Sequence, residues 1–365
     1  MAATAQGGRD LIKRTVEQIQ KDFYPGQTAD NGGDPQTVQN FFPPAMAGFW
    51  SLLRECQIAD GKFNRAEKEQ IATVISFSNE CKFCCASHSN FAAAAGADGE
   101  GLRAAVAAND PSLFKEERMK KVGQWVKDCQ KKASPALKEA PPFSLDEAPE
   151  VIGTAFTFNY INRVVDKFLT EGLVLPLLPW PVRFLLHALP FLQKPFLGMF
   201  AGMVGKHIKE VGPVKQGEAV CIVGTDAKPP PGFEWSEKSV SIAKAFTYWC
   251  RAMDDLAKEY IPPEVTDFVG KYIDENYKGE DPPISRNWVF QAAEESGLSE
   301  AYQSATRFML LMSFARFQID GAIKADLKKH FPDFQTQRAM GMWAAHKTAT
   351  AISKWEGESV MRMSK

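Results

Sequence analysis

An excess of charge of either sign is nearly absent from this sequence. Its 365 residues include 43 lysines and arginines against 44 aspartates and glutamates, for a formal net charge of −1. A nucleic-acid-binding surface normally appears as a basic excess, so the composition argues against a nucleic-acid partner. The chain also lacks a glycine-rich phosphate loop, a GxSxG elbow and a dinucleotide-binding fingerprint. These absences argue against the common nucleotide-binding and serine-hydrolase sites.

Cysteine is scarce as well. The chain has seven cysteines, an odd number, and they are scattered apart from one tight group. Such a set does not form the framework of a disulfide-rich secreted protein. Residues 1–20 show a polar amphipathic pattern that includes Arg9, Asp10, Lys13 and Arg14, instead of the unbroken apolar stretch of a secretory signal. We therefore expect a cytoplasmic protein in a reducing compartment.

One long apolar stretch, Leu173 to Val204, could be mistaken for a membrane span. A spanning helix requires about 20 consecutive, mostly apolar residues with few charges. Here prolines and polar side chains interrupt the stretch: Pro176, Pro179, Pro181, Pro190, Pro195, Arg183, His187 and Lys194. We expect no membrane span and burial against protein, with a membrane-surface or apolar-substrate role as the alternative.

Alternating runs of β-branched residues are almost missing, and Ala219 to Val223 is the single candidate strand. Elsewhere apolar residues recur at spacings of three and four, which indicates helices, so the predicted fold class is all-α. Several helix starts are marked by residues that can cap them. The expected starts are Asn64 with Glu67 before a helix over Arg65 to Ser78, Asp110-Pro111, Ser144 with Glu147, Ser299 before 301–318, and Asp333 before 334–355.

Proline and glycine are concentrated between Gly212 and Phe233. Residues of these two types at such a density interrupt helices. We predict that 212–233 connects an N-terminal half, 1–211, to a C-terminal half, 234–365.

The two halves resemble each other where an apolar helix ends in a serine, a phenylalanine and a small or polar residue. Ile71 to Ser78 aligns with Phe308 to Ala315. In this register Thr306, Gln318, Gly321 and Ala325 occupy the positions of Glu69, Cys81, Cys84 and His88. We predict two helical repeats, of which the second is degenerate. A chance match of two apolar helices is the competing explanation.

The dense group of reactive side chains is Cys81, Cys84, Cys85 and His88. The spacing i, i+3, i+4, i+7 places them on one face of a helix. Ser78 or Asn79 is the expected N-cap, which would put the first two thiols near the helix start, where free amides and the helix dipole stabilise a thiolate. Thiols at such sites have pKa values of roughly 3.5–7.5 instead of about 8.5. A thiolate attacks peroxides and disulfides, and a second cysteine at this spacing can then form a disulfide.

His88 lies one turn beyond Cys84 and can exchange a proton with that thiol. Glu69, on the preceding helix, would reach His88 and orient its ring if the chain folds back near Asn79. Two interpretations without redox chemistry compete with this one. The thiols could be incidental buried cysteines, or they could bind zinc, although four ligands on one helical face cannot readily surround an ion tetrahedrally. We expect Cys85 to serve packing.

The pattern of Glu69, Cys81, Cys84 and His88 resembles the Glu–Cys-x-x-Cys-x-x-x-His motif of the alkylhydroperoxidase D-like group within the carboxymuconolactone decarboxylase superfamily. The similarity is clear over residues 43–96 and weaker over 152–168 and 287–355. It implies an all-helical fold, reduction of a peroxide or disulfide, and no metal or organic cofactor. It also implies that Cys84 is the peroxidatic nucleophile, Cys81 the resolving thiol, and His88 with Glu69 the proton relay.

The sequence departs from that family at the residues between the two thiols. The founding members have a second histidine there, whereas this chain has Lys82 and Phe83. A lysine can favour a thiolate electrostatically but cannot exchange protons near neutral pH as a histidine does. The departure bears on rate and substrate more than on the dithiol chemistry.

The expected function is an antioxidant oxidoreductase, either a thiol-dependent peroxidase or a disulfide oxidoreductase. The expected partners are a hydroperoxide substrate, a lipoyl- or thioredoxin-like thiol or dithiol reductant, and further copies of the chain in a homo-oligomer. Two alternatives stay open: a cofactor-independent decarboxylase- or lactone-type enzyme, and a non-enzymatic dithiol redox sensor.

Overall fold

The computed structural model describes residues 2–29, 34–169, 202–203, 205–222 and 228–363. These ranges contain helices, turns and irregular segments but no strand, so the predicted all-α fold class is confirmed. Residues 219–222, the described part of the candidate strand, form turns and irregular structure. The apolar stretch Leu173 to Val204 lies almost wholly outside the described residues. Of the helices in the described ranges, none combines the length and apolar character needed to cross a bilayer.

The principal helices fall on either side of the proline- and glycine-rich stretch. Those before it are α1 (Ala2–Asp22), α2 (Pro43–Leu53), α3 (Arg65–Ser78), α4 (Lys82–Ala94), α5 (Gly99–Ala108), α6 (Glu117–Asp128) and α7 (Ala148–Phe168). Those after it are α8 (Val240–Tyr260), α9 (Pro263–Asn276), α10 (Asn287–Glu295), α11 (Glu300–Phe314), α12 (Gly321–His330) and α13 (Phe334–Met363).

Most of the predicted helix starts are confirmed. Asn64 and Glu67 form the expected capping box at α3, because Asn64 Oδ1 accepts the Glu67 amide at 3.0 Å and Glu67 Oε2 accepts the Asn64 amide at 2.8 Å. Asp110, Ser299 and Asp333 also accept backbone amides where their helices begin. Local side-chain chemistry therefore fixes these starts.

Three boundaries differ from expectation. Ser144 does not cap α7; Glu147 is the N-cap residue, and its carboxylate accepts the amide and hydroxyl of Ser144. α11 ends at Phe314 because Ala315 leaves the helical region, with φ −149° and ψ 55°, and a short 3-10 turn over 316–318 follows. α13 continues beyond Trp355 to Met363.

One hydrophobic core runs through both halves of the described chain. α7 packs against α13, and α2 packs against α8. Phe156 on α7 meets Phe246 on α8 with ring centroids 5.0 Å apart. Trp249 Nε1 on α8 donates to His346 Nδ1 on α13 at 3.1 Å. Each half therefore covers apolar surface that the other would expose.

A buried ion-pair cluster anchors the end of α2. The chain continues from α2 into a π-helical turn, Arg54–Ile58. Arg54 donates to Asp22 Oδ2 from Nε and to Glu55 Oε1 from Nη1, both at 2.7 Å. Glu55 in turn accepts the amides of Gly217 and Ala219. The cluster holds the π turn in place beside the candidate site.

A similar arrangement of helices occurs in each half. α3 packs on α4 and α7, and α11 packs on α12 and α13. The described residues between 212 and 233 contain no helix. The two-repeat organisation and the boundaries 1–211, 212–233 and 234–365 nevertheless stay predictions, because similar helix packing alone does not establish a repeat.

Truncation after Gly212 should yield a protein that aggregates. α2 and α7 would lose their partners α8 and α13, and rings such as those of Phe156 and Tyr160, both 0% exposed, would face solvent. Large exposed apolar patches drive association. Size-exclusion chromatography should show a defined species for the full chain and high-mass aggregate for the truncated one. A soluble and fully active truncated protein would establish that the halves are independent domains.

Candidate active site

The helices that carry the reactive residues are joined by a tight turn. Glu80 has a φ of +55°, in the left-handed region that residues other than glycine rarely adopt, and the chain reverses direction there. Cys81 is the N-cap of α4, and Cys84 lies in its first turn. The predicted N-cap, Ser78 or Asn79, was wrong because both residues belong to the end of α3.

The thiols of Cys81 and Cys84 are buried, with the residues 3% and 2% exposed. The pKa of Cys81 lies below its ordinary value, chiefly because the Cys84 thiol donates a hydrogen bond to its sulfur. Burial opposes that shift, while the Cys84 amide and the positive charge of Arg316 add to it. The pKa of Cys84 lies well above its ordinary value because the thiol is buried and gives its hydrogen to Cys81. Of the two thiols, Cys81 is therefore the one that loses its proton more readily.

Glu69, on α3, is 0% exposed and contacts His88 on α4. Its Oε2 accepts hydrogen bonds from His88 Nδ1 at 2.6 Å and from Gln57 Nε2 at 2.7 Å. Its Oε1 accepts one from Arg65 Nε at 2.7 Å. Burial raises the pKa of Glu69, but the charges of Arg65 and His88 and their hydrogen bonds outweigh burial and lower it. The group is therefore a carboxylate at neutral pH.

The hydrogen bond to Glu69 fixes which nitrogen of His88 can act as a base. A carboxylate only accepts hydrogen bonds, so Nδ1 carries a hydrogen, and in the neutral ring the lone pair is on Nε2. The imidazole also stands edge-on to Phe158 and Phe91, with ring centroids 4.4 and 5.4 Å apart. The ring can take a proton at Nε2 without first turning over.

A cavity of about 80 Å³ adjoins Cys84 and His88. Its apolar walls come from the segment after α1 and from α2, α4 and α7, and include Phe23, Phe49, Leu53, Phe83, Phe91 and Phe158. Cys84, Ser87 and His88 line it, and Cys81 does not. A reactant in the cavity would therefore meet Cys84, although Cys81 is the thiol with the lowered pKa.

Cys85 lies away from this cavity, and burial raises the pKa of its thiol to about 11. Because Cys85 does not line the cavity that Cys84 and His88 share, its position suits packing. Across the described ranges, no three histidine, cysteine, aspartate or glutamate side chains are placed to hold a metal ion.

Several residues of the site were not predicted from the sequence. Arg65 lies four residues before Glu69 on α3, a spacing that could have revealed it. Gln57 had no such signal, because the π turn aims it at Glu69. α7 reaches the cavity through Phe158 and Ile161.

Comparison with known proteins supports the resemblance. Residues 43–123, which include Glu69, Cys81, Cys84 and His88, match the model of the carboxymuconolactone decarboxylase family, so the predicted similarity is confirmed. The chain is 26% identical over 313 residues to a protein of Mycobacterium tuberculosis (strain ATCC 25618 / H37Rv) named alkyl hydroperoxide reductase. The aligned region covers 84% of this chain and 81% of that protein. No solved structure matches the chain.

Replacing Cys84 by alanine should raise the pKa of Cys81, because it removes the hydrogen bond that does most to lower it. Cys84→Ser is the matched control, since a hydroxyl can still donate to the Cys81 sulfur. Pulsed iodoacetamide labelling across pH, read by peptide mass spectrometry, should give a higher midpoint for Cys81 in Cys84→Ala than in Cys84→Ser. Equal midpoints in the two variants would contradict the hydrogen-bonded thiol pair.

Proposed function

We propose that this protein is a thiol-dependent peroxidase in which Cys84 reduces a hydroperoxide, Cys81 resolves the product, and His88 with Glu69 relays the proton. The observation that most supports the proposal is that Cys84 and His88 line the same cavity while buried Glu69 holds His88 Nδ1 at 2.6 Å. The relative named alkyl hydroperoxide reductase supports the same activity.

In the first step the Cys84 thiol turns its hydrogen from the Cys81 sulfur towards His88 Nε2, which takes the proton. The thiolate attacks the hydroxyl-bearing oxygen of the hydroperoxide, the O–O bond breaks, and the departing alkoxide takes the proton from His88. The products are a sulfenic acid on Cys84 and an alcohol. Glu69 contributes a negative charge beside the ring that becomes positive during this transfer.

In the second step the Cys81 thiolate attacks the sulfur of the sulfenic acid. A disulfide forms, and the displaced hydroxide leaves as water after taking a proton. The hydrogen bond from the Cys84 thiol, which does most to lower the pKa of Cys81, is lost when Cys84 is oxidised, but the Cys84 amide and the positive charge of Arg316 still favour the attacking thiolate. A dithiol reductant returns two electrons and two protons to the pair and leaves as a disulfide.

The apolar walls of the cavity favour an organic hydroperoxide as substrate. The reductant in this scheme is a lipoyl- or thioredoxin-like dithiol in the reducing cytoplasm expected from the sparse cysteines. Because both sulfurs are buried, a slender lipoyl arm would reach them more readily than the surface of a globular protein.

A dithiol redox sensor is the second candidate, and the burial of both sulfurs is the observation that favours it. Limited access would slow reduction by a partner and let the oxidised form persist. Turnover separates the two functions, because a sensor needs one oxidation and an enzyme needs many.

The parent protein should consume tert-butyl hydroperoxide catalytically when a dithiol reductant is supplied. Cys84→Ser should abolish consumption, and Cys81→Ser should permit a single oxidation that leaves a sulfenic acid on Cys84, detectable with a dimedone probe. Cys250→Ser, distant in sequence from the motif, serves as the matched cysteine control and should retain activity. Oxidation without turnover across several dithiols would favour the sensor, and no reaction with peroxide would refute the peroxidase.

His88→Ala and Glu69→Gln should both slow alkylation of Cys84 at neutral pH and move its pH profile upward. General-base assistance contributes roughly 100- to 10,000-fold in rate, so the effect should be large for His88→Ala and smaller for Glu69→Gln, which acts through the ring. His207→Ala is the control, since its ring lies against the Lys21 carbonyl. Profiles of both variants that overlay the parent would show that no relay reaches Cys84.

A further inference from the structure

Ser87 lies on α4 between Cys84 and His88, and its hydroxyl has no hydrogen-bond partner among the described residues. The residue is 4% exposed and lines the cavity. Serines inside helices commonly bond to the carbonyl four residues before them. Ser76 and Ser78 do so here, with Oγ to carbonyl distances of 2.7 and 2.8 Å. An unpaired buried hydroxyl is unfavourable, so a group that enters the cavity is its natural partner.

We infer that the Ser87 hydroxyl donates a hydrogen bond to the hydroperoxide in the cavity and stabilises the alkoxide that leaves when the O–O bond breaks. The inference rests on the proposed peroxidase function and adds a residue that contacts the substrate directly.

The position of Ser87 on α4 fits that role. Residues three apart on a helix have Cβ atoms about 5–6 Å apart, so the Cys84 sulfur and the Ser87 hydroxyl flank a space that one peroxide group can occupy. Cys84 approaches the hydroxyl-bearing oxygen, and Ser87 donates to the oxygen bonded to carbon. Negative charge develops on that second oxygen as the first bonds to sulfur, and His88 then supplies the proton. Ser87 keeps its own proton throughout this step.

A second buried oxygen in the cavity lacks a partner, but it cannot serve in the same way. Gln36 Oε1 lines the cavity from the segment after α1 and has no hydrogen-bond partner. A carbonyl oxygen only accepts, so it can bind the O–H of a hydroperoxide but cannot stabilise a departing alkoxide. Of these two unpartnered oxygens, only the Ser87 hydroxyl carries a hydrogen to donate.

The size of the cavity limits the alkyl group that accompanies the peroxide. Its volume of about 80 Å³ is well below the roughly 150 Å³ of a dry cavity that accepts benzene. A short or branched aliphatic hydroperoxide fits this space better than an aromatic one. tert-Butyl hydroperoxide is therefore the probe, and cumene hydroperoxide the larger comparison.

The test is a single turnover of the pre-reduced protein with tert-butyl hydroperoxide and no reductant. The loss of the free Cys84 thiol over time measures the rate. Ser87→Ala should lower the second-order rate constant roughly tenfold, as expected for the loss of one hydrogen bond to a developing charge. Ser89→Ala is the matched control, because its hydroxyl lies on the same helix but bonds to the Ala86 carbonyl at 3.2 Å. It should react at the parent rate, and cumene hydroperoxide should react more slowly than the tert-butyl compound.

Two further measurements separate substrate binding from a structural role. Alkylation of Cys84 by iodoacetamide should be unchanged in Ser87→Ala, since that reaction has no peroxide oxygen to stabilise. The thermal midpoint should be equal or higher, because the variant removes an unpaired buried hydroxyl. A parent-like peroxide rate in Ser87→Ala, or equal slowing of both reactions, would overturn the inference while the peroxidase stands. A parent protein that does not react with peroxide would overturn the proposed function itself.

Discussion

The site depends on one buried carboxylate. An isolated ion transferred from water to a protein interior is strongly destabilised, so a buried carboxylate needs partners to stay ionised. Glu69 is 0% exposed, and Arg65, Gln57 and His88 supply its hydrogen bonds. These partners come from α3, the π turn and α4. The requirement to satisfy one charge therefore positions three elements relative to each other and sets the tautomer and orientation of the histidine.

The support for that carboxylate extends well beyond the motif. π-Helical turns are rare and are often found at functional sites, where the extra residue redirects a side chain. Here the turn directs Gln57 to Glu69, and the turn is held by the Arg54 pairs on one side and by Thr154, which donates to the Cys56 carbonyl at 3.1 Å, on the other. Contacts from α1, α7 and residues 217–219 thus converge on the turn. A change far from the thiols could displace Gln57 and so alter the contact between Glu69 and His88.

What could be predicted from the sequence was what a single helix or two consecutive helices determine, including the contact between Glu69 and His88. The spacing of Cys84 and His88 and the capping box at Asn64 are local, and all follow from helical periodicity or end chemistry. Gln57 and Phe23 could not be predicted, because a π turn directs the first and contact between distant segments places the second beside Phe91. The N-cap was misassigned because serine and asparagine are stronger caps than cysteine, whereas a left-handed residue in the turn decides where α4 begins. Which of the two thiols has the lower pKa depends on burial and on which sulfur donates the hydrogen bond between them. Residue spacing alone does not reveal either.

The start of α4 shows how stability and chemistry compete within the fold. In the register that aligns the two halves, Gln318 stands at the position of Cys81 and bonds to two backbone carbonyls, and Asp320 caps α12 by accepting two backbone amides at 3.0 and 3.1 Å. α4 has no side-chain cap, because its N-cap is Cys81. Loss of a conventional cap typically costs about 0.5–2 kcal/mol of helix stability. The Cys84 amide, left without a carboxylate or hydroxyl cap, instead adds to the hydrogen bond from the Cys84 thiol in lowering the pKa of Cys81. A conventional cap at this position would stabilise α4 but would take up the hydrogen-bond donors that the thiolate requires. A helix that carries such a thiol at its start should therefore keep a weak cap. α12 carries no thiol at its start and is free to use an aspartate cap.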